Sequence, residues 1–74
     1  MPAILRPSGA LKDLVGGKAE VQVEAGRTIR ETLASIGIVP EVVALVMVNN
    51  EQQNKDYLIR EGDVIRVLAV IGGG

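Results

Sequence analysis

The stretch Thr28-Ile29-Arg30-Glu31-Thr32-Leu33-Ala34-Ser35-Ile36-Gly37 constrains the fold most, because it specifies one short helix together with both of its ends. Thr28 followed three residues later by Glu31 is a capping box, in which the threonine hydroxyl accepts from the Glu31 amide and the Glu31 carboxylate accepts from the Thr28 amide. Gly37 stands where a left-handed residue closes the last turn, and Ile38 just beyond it can fold back onto Leu33. A helix over residues 29–36 is too short to hold itself in water. Its apolar stripe of Ile29, Leu33 and Ile36 must therefore pack on a sheet, while Arg30 and Glu31 form its solvated side.

The flanking segments supply that sheet. Ala3-Ile4-Leu5-Arg6 is a short apolar run closed by Pro7, which removes the next ladder donor and marks the end of a first strand. Ser8 is placed to cap a brief helical turn whose Leu11, Leu14 and Val15 share one face, and Gly16-Gly17 ends it. Ala19-Glu20-Val21-Gln22-Val23-Glu24 alternates with period 2, so Val21 and Val23 point inward and the polar residues outward. After Pro40 an apolar run reaches Val48 and stops at Asn49-Asn50, a turn signal. Residues 51–56 read as a polar connection to Tyr57-Leu58-Ile59, and Glu61-Gly62-Asp63 reads as a tight turn into a long final strand over residues 64–71. Two strands, one capped helix and two or three further strands predict an α+β domain with the helix on one face of a mixed sheet. The whole of residues 1–74 is expected to form one such domain.

Composition narrows what that domain can do. In 74 residues there is no Cys, His, Phe or Trp, and Tyr57 is the single aromatic. Aliphatic residues must fill a core that, at this size, buries only about 60% of the unfolded chain's surface. Disulfides, thiolate nucleophiles, cysteine metal sites and the commonest general base are excluded, so neither an enzyme nor a metal site is expected. Lys55, Asp56 and Tyr57 are adjacent ionisable residues, yet nothing pairs them into a nucleophile and base. The eight Lys and Arg and nine Asp and Glu are scattered and give a formal charge of −1, which is no footprint for a nucleic acid. No apolar run approaches the roughly 18 residues of a membrane span, and the N-terminus lacks the layout of a signal peptide. A cytoplasmic protein is expected.

The final strand separates into two faces. Arg66 is hard to bury, so Val64, Arg66, Leu68 and Val70 should face outward, and Ile65, Val67, Ala69 and Ile71 should face the core. If the strand over residues 44–48 lies beside it with Val46 and Val48 inward, Leu45 and Met47 join the outer face. Leu45, Met47, Arg66, Leu68 and Val70 would then form a contiguous exposed patch, the mark of a partner-binding surface, unless a loop covers it.

The chain ends in Gly72-Gly73-Gly74. At a glycine frequency of about 7%, two terminal glycines arise by chance in roughly one chain in 200, which is too rare to ignore and too common to stand alone. Lacking a Cβ, such a tail can thread a narrow channel and present a bare carboxylate; a frayed end is the alternative. Residues 69–74 extended would reach roughly 20 Å.

Taken together, Leu11-Lys12-Asp13-Leu14-Val15-Gly16, Thr28-Ile29-Arg30-Glu31-Thr32-Leu33, Val46-Met47-Val48-Asn49, Glu61-Gly62-Asp63-Val64 and the terminal Gly73-Gly74 resemble the prokaryotic ubiquitin-like sulfur-carrier family, which includes the small subunit of molybdopterin synthase and the thiamine-pathway sulfur carrier. The resemblance implies a ubiquitin-like β-grasp fold. It also implies a carrier cycle, in which an activating enzyme related to those of ubiquitin uses ATP and Mg²⁺ to adenylate the C-terminal carboxylate and a sulfur donor converts it to a thiocarboxylate. Carried onto this chain, Gly74 would bear the sulfur and Gly72 and Gly73 would be the tether, with no cofactor bound by the carrier itself. The implied partners are that adenylating enzyme, a sulfur donor, and an acceptor synthase, either the molybdopterin synthase large subunit or thiazole synthase. The segment from Leu11 to Gly16 is more similar to the molybdopterin type, whereas Val70-Ile71 before the glycines is more similar to the thiamine type. Two other classes remain open on the residues: a ubiquitin-like modifier joined through Gly74 to lysines of target proteins, and an interaction module that uses only the outer face.

Overall fold

A computed structural model describes residues 1–69 of the chain; residues 70–74 lie outside the described residues. Strand β1 (Ala3–Pro7) is followed by the short helix α1 (Gly9–Lys12) and a 3₁₀ turn (Asp13–Val15), then β2 (Val21–Val23) and the main helix α2 (Ile29–Ser35). A second 3₁₀ turn (Pro40–Val42) leads into β3 (Val43–Val48), β4 (Glu51–Gln53) and β5 (Val64–Ala69). The strands form one five-stranded sheet in the order β2-β1-β5-β3-β4. Its two central strands, β1 and β5, run parallel with Leu5 opposite Ile65, and every other pairing is antiparallel. This mixed sheet with α2 packed on one face is the β-grasp arrangement, an α+β fold.

Helix α2 is specified as its sequence demands. Glu31 donates its amide to Thr28 Oγ1 at 3.1 Å, and the Thr28 amide donates to Glu31 Oε1 at 3.0 Å, completing the capping box. The backbone and side-chain hydrogen bonds from Thr28 hold the Glu31 carboxyl below the usual range. At the other end the Ile38 amide donates to the Leu33 carbonyl at 2.9 Å and the Gly37 amide to the Ala34 carbonyl at 3.3 Å. With Gly37 at φ +90°, this is a Schellman motif. Ile29, Leu33 and Ile38 are fully buried in one cluster with Leu5, Ile65 and Val67, and Ile36 packs at its edge.

The strand that carries the outer face is set by Asp63. This buried carboxylate accepts from Tyr57 Oη (2.7 Å), the Arg60 amide (2.9 Å) and Asn49 Nδ2 (2.9 Å), and Asn49 Oδ1 in turn accepts from the Val64 amide at 3.0 Å. Burial alone would raise the Asp63 pKa, but the bonds from the Arg60 amide, Tyr57 and Asn49 outweigh it and leave the carboxyl below its ordinary value. The same bond to Asp63, with burial, raises the Tyr57 phenol. The network ties the Asn49-Asn50 turn, both residues at positive φ, to the start of β5.

Three expectations are corrected. Ser8 makes no side-chain cap; its Oγ instead accepts from the Ala69 amide at 3.4 Å, and its own amide donates to the Val67 carbonyl at 3.0 Å. Leu14 is half-exposed rather than inward, because the chain tightens into 3₁₀ geometry after Lys12 and carries Leu14 off the face of buried Leu11. Residues 51–56 are not all connection, since Glu51–Gln53 forms the edge strand β4, with Val46 opposite Gln53 and Val48 opposite Glu51. Being an edge, it can be polar throughout and leaves no alternating signal. Tyr57 and Ile59 stay out of the sheet because their backbones bond the segment that leads into α2 and its first residue: Ile29 donates to the Tyr57 carbonyl, Gly26 to the Ile59 carbonyl, and Ile59 to the Arg27 carbonyl.

Candidate functional site

The pleat of β5 sorts its side chains as the position of Arg66 predicted. Ile65 and Val67 are buried and Ala69 packs against the core, while Arg66 is exposed and Leu68 half-buried on the opposite face. Strand β3 lies antiparallel beside it with Leu45 opposite Leu68 and Met47 opposite Arg66. A bulge at Ala44 interrupts that ladder, so that Val43 and Val46 both reach the core although three residues apart, and Leu45 stays outward. The expected grouping of Leu45, Met47, Arg66 and Leu68 on one face is therefore present.

Two features of that face differ from expectation. The aliphatic residues are half-buried rather than freely exposed, because Leu45, Met47 and Leu68 shield one another across the strands. In addition, the face continues onto β1, where Arg6 lies in register with Arg66. The result is an open groove of about 560 Å³ floored by Leu45, Met47 and Leu68 and bordered by Arg6, Lys12 and Arg66, with Pro7, Ser8 and Ala19 at its margin. Arg6 and Lys12 carry no local sign of this role. They stand about 60 and 54 positions from Arg66 in the chain, and only the parallel pairing of the two terminal strands brings them to it.

The groove lies beside the end of the described part of β5. Ala69, the last described residue, is fastened by Ser8 Oγ. Val70, Gly72, Gly73 and Gly74 of the expected site, and Ile71, which is expected to face the core, lie outside the described residues. The ionisable trio Lys55, Asp56 and Tyr57 does not converge: Asp56 Oδ1 pairs with Arg30 Nε at 3.3 Å, whereas Tyr57 turns to Asp63. Among the described residues no group of three or more His, Cys, Asp or Glu side chains could hold a metal ion, and no helix is long and apolar enough to cross a membrane. What the arrangement can do is bind: an aliphatic floor offers non-directional contact, and its cationic border offers charge-assisted hydrogen bonds.

The comparisons with known proteins agree with this architecture. The family described as the ThiS family matches residues 8–74. The sulfur carrier protein TtuB of Thermus thermophilus is 37% identical over 57 residues, which span 77% of this chain and 86% of that protein. Among solved structures, a protein of Pyrococcus furiosus assigned as molybdopterin converting factor, subunit 1, superposes with a TM-score of 0.71 at 18% identity, covering 96% of this chain and 99% of that one. SAMP1 of Haloferax volcanii superposes with a TM-score of 0.70 at 15% identity over 100% of both chains. At such identities the two superpositions establish the fold.

Proposed function

The chain belongs to the ThiS family of small sulfur carriers, which are substrates of other enzymes rather than enzymes themselves, and from that premise we propose that Gly74 is the atom-bearing end of a cytoplasmic carrier cycle. The observation that supports this most is that the family match runs through the terminal glycines. In the proposed cycle a Gly74 carboxylate oxygen attacks the α-phosphorus of ATP on an adenylating enzyme, with Mg²⁺ held there, and pyrophosphate leaves. The acyl-adenylate replaces a poor leaving group with a good one. Hydrosulfide-level sulfur released by a sulfur donor then attacks the carbonyl carbon, the C–O bond to the phosphate breaks and AMP departs, and the terminus is left as a thiocarboxylate. Gly72 and Gly73 serve as the tether that lets this end enter a partner's pocket.

In this reading the carrier's own contribution is a handle and a docking face. Leu45, Met47, Arg66, Leu68 and Val70 meet the partner, first the adenylating enzyme and then an acceptor synthase of molybdopterin or thiamine type. Binding the body while the tail enters the active site makes the reaction of the carboxylate effectively intramolecular.

Intact mass after incubation with the adenylating enzyme, ATP, Mg²⁺ and a sulfur source tests the proposal. Replacement of one oxygen by sulfur should add about 16 Da, and deletion of Gly74 should abolish the gain. An unchanged mass, with an enzyme shown to be active on another carrier, would count against the thiocarboxylate. Conjugates joined to lysines of other proteins would instead indicate a modifier.

A further inference from the structure

Two arginines stand side by side on the outer face, and the chain answers only one of them. Arg6 on β1 and Arg66 on β5 are partners in the parallel ladder, on strands about 4.8 Å apart, so both side chains leave the sheet on the same face. Like charges directly opposite one another destabilise a sheet. Among the described residues one carboxylate pairs with them: Glu20 Oε2 lies 3.9 Å from Arg6 Nε, too far for a hydrogen bond. Glu20 belongs to the segment entering β2, on the side of β1 away from β5, and Arg66 has no carboxylate partner among the described residues. Asp63, the buried acid near the start of β5, is already taken by Tyr57, the Arg60 amide and Asn49. Between the two arginines and the Asn49-Asn50 turn the face opens into a cleft of about 300 Å³ lined by Arg6, Asn49, Asn50, Val64 and Arg66. Asn50, exposed on that turn, adds a side-chain amide to the wall.

We propose that this cleft binds a phosphate group, free or carried on a nucleotide, with Arg6 and Arg66 bridging its oxygens and the Asn50 amide donating to it. The charge and shape of the group select it. A phosphate dianion matches two cations, where a carboxylate brings a single negative charge, and its tetrahedral oxygens can take a fork of two donors from each planar guanidinium. Binding replaces the repulsion between neighbouring arginines with an attraction to each. Val64 closes the floor of the cleft with aliphatic surface, which keeps water from screening the contact on that side. The site is separate from the proposed chemistry at Gly74, and its test needs no second protein. The same two arginines border the aliphatic groove over Leu45, Met47 and Leu68, so a bound phosphate would cancel the positive edge of that groove.

The test is a titration of the full-length, ¹⁵N-labelled chain with inorganic phosphate, the ionic strength held constant with NaCl. The Nε–H resonances of Arg6 and Arg66 should shift and saturate at roughly millimolar phosphate, the affinity that two charge-assisted contacts supply. Arg66→Gln should weaken binding roughly tenfold or more. Arg66→Lys, which keeps the charge and loses the fork, should recover part of that loss, and Lys55→Gln, a cation removed away from the cleft, should bind as wild type does. Saturating phosphate should also raise the urea midpoint of wild type above its value in NaCl of equal ionic strength and leave that of Arg66→Gln unmoved. A parallel titration with AMP separates the two sources: equal affinity supports the free anion, and affinity roughly tenfold tighter supports a nucleotide phosphate. Shifts that climb without saturating to about 100 mM, the behaviour of screening rather than of a site, would overturn the proposal. So would an Arg66→Gln protein that binds phosphate as tightly as wild type, or acetate that binds as tightly as phosphate.

Discussion

Ile65 and Leu68 are both aliphatic and stand three residues apart on β5, yet Ile65 is fully buried beneath α2 while Leu68 is half-buried on the face that α2 does not cover. The two surroundings differ in what they require. On the inner face every side chain meets a neighbour from another element: Ile65 shares its cluster with Leu5, Leu33 and Val67. On the outer face the apolar contacts run along the sheet, through Leu45 opposite Leu68 and Met47 opposite Arg66, and no helix covers them among the described residues. The inner face is closed and holds the fold. The outer face is left open along the sheet, and it extends to Leu68, next to the last described residue, Ala69.

If this division is right, substitutions on the two sides should have opposite signatures. Ile65→Ala should have the largest effect on stability, about 2–5 kcal/mol, read from the urea midpoint, because a core of this size cannot collapse around the lost volume. A cost below about 1 kcal/mol would mean that the inner face is not the stabilising one.

Asp63 is next, since it sets the start of the strand that bears both faces. Asp63→Ala strands the Tyr57 hydroxyl, the Arg60 amide and Asn49 Nδ2 and should cost roughly 2–3 kcal/mol. The signs of the pH dependence follow from linkage. The folded Asp63 pKa is depressed, so its contribution is present above the unfolded value of about 3.9 and is lost as pH falls through the folded value. The folded Tyr57 pKa is raised, so its contribution is present below about 10 and is lost as pH rises through the folded value. Urea melts across pH should therefore show an acid limb missing from Asp63→Ala and an alkaline limb missing from Tyr57→Phe. Melts with the same pH profile as wild type would remove the network from the account.

Gly37→Val probes the inner face through the helix that covers it. A Cβ at Gly37 would meet no neighbour within 4 Å, so the cost is that of φ +90° alone, about 1 kcal/mol or more for a branched residue. A neutral substitution would show that α2 is not fixed by its Schellman end. The smallest stability change is expected on the outer face: Leu68→Glu should cost less than about 1 kcal/mol, the scale of one cross-strand pair.

How far this organisation was legible follows from the range of the interactions. Helix α2 could be read because both caps are local, within three residues of Thr28 and five of Ile38. The two faces of β5 could be read because Arg66 fixes the parity of its neighbours. Strand β4 escaped because an edge strand needs no apolar face, and its ladder to β3 is set by the Asn49-Asn50 turn rather than by Glu51–Gln53 themselves. Leu14 was misplaced because a helical period was carried through a segment that changes to 3₁₀ geometry. Ser8 was assigned to its own helix because nothing near it in sequence discloses Ala69, 61 positions away. Arg6 and Lys12 escaped for the same reason, so the apolar part of the candidate site was visible before the fold and its cationic border was not.

The most direct measurement is the KM of Leu68→Glu for adenylation, taken with a protein whose urea midpoint has been checked against wild type. The account predicts a KM raised roughly tenfold or more, the effect of a charge placed in the apolar centre of an interface, on a protein that remains folded. An unchanged KM on a folded Leu68→Glu protein would contradict the claim that the outer face of β5 is where this carrier meets its enzyme.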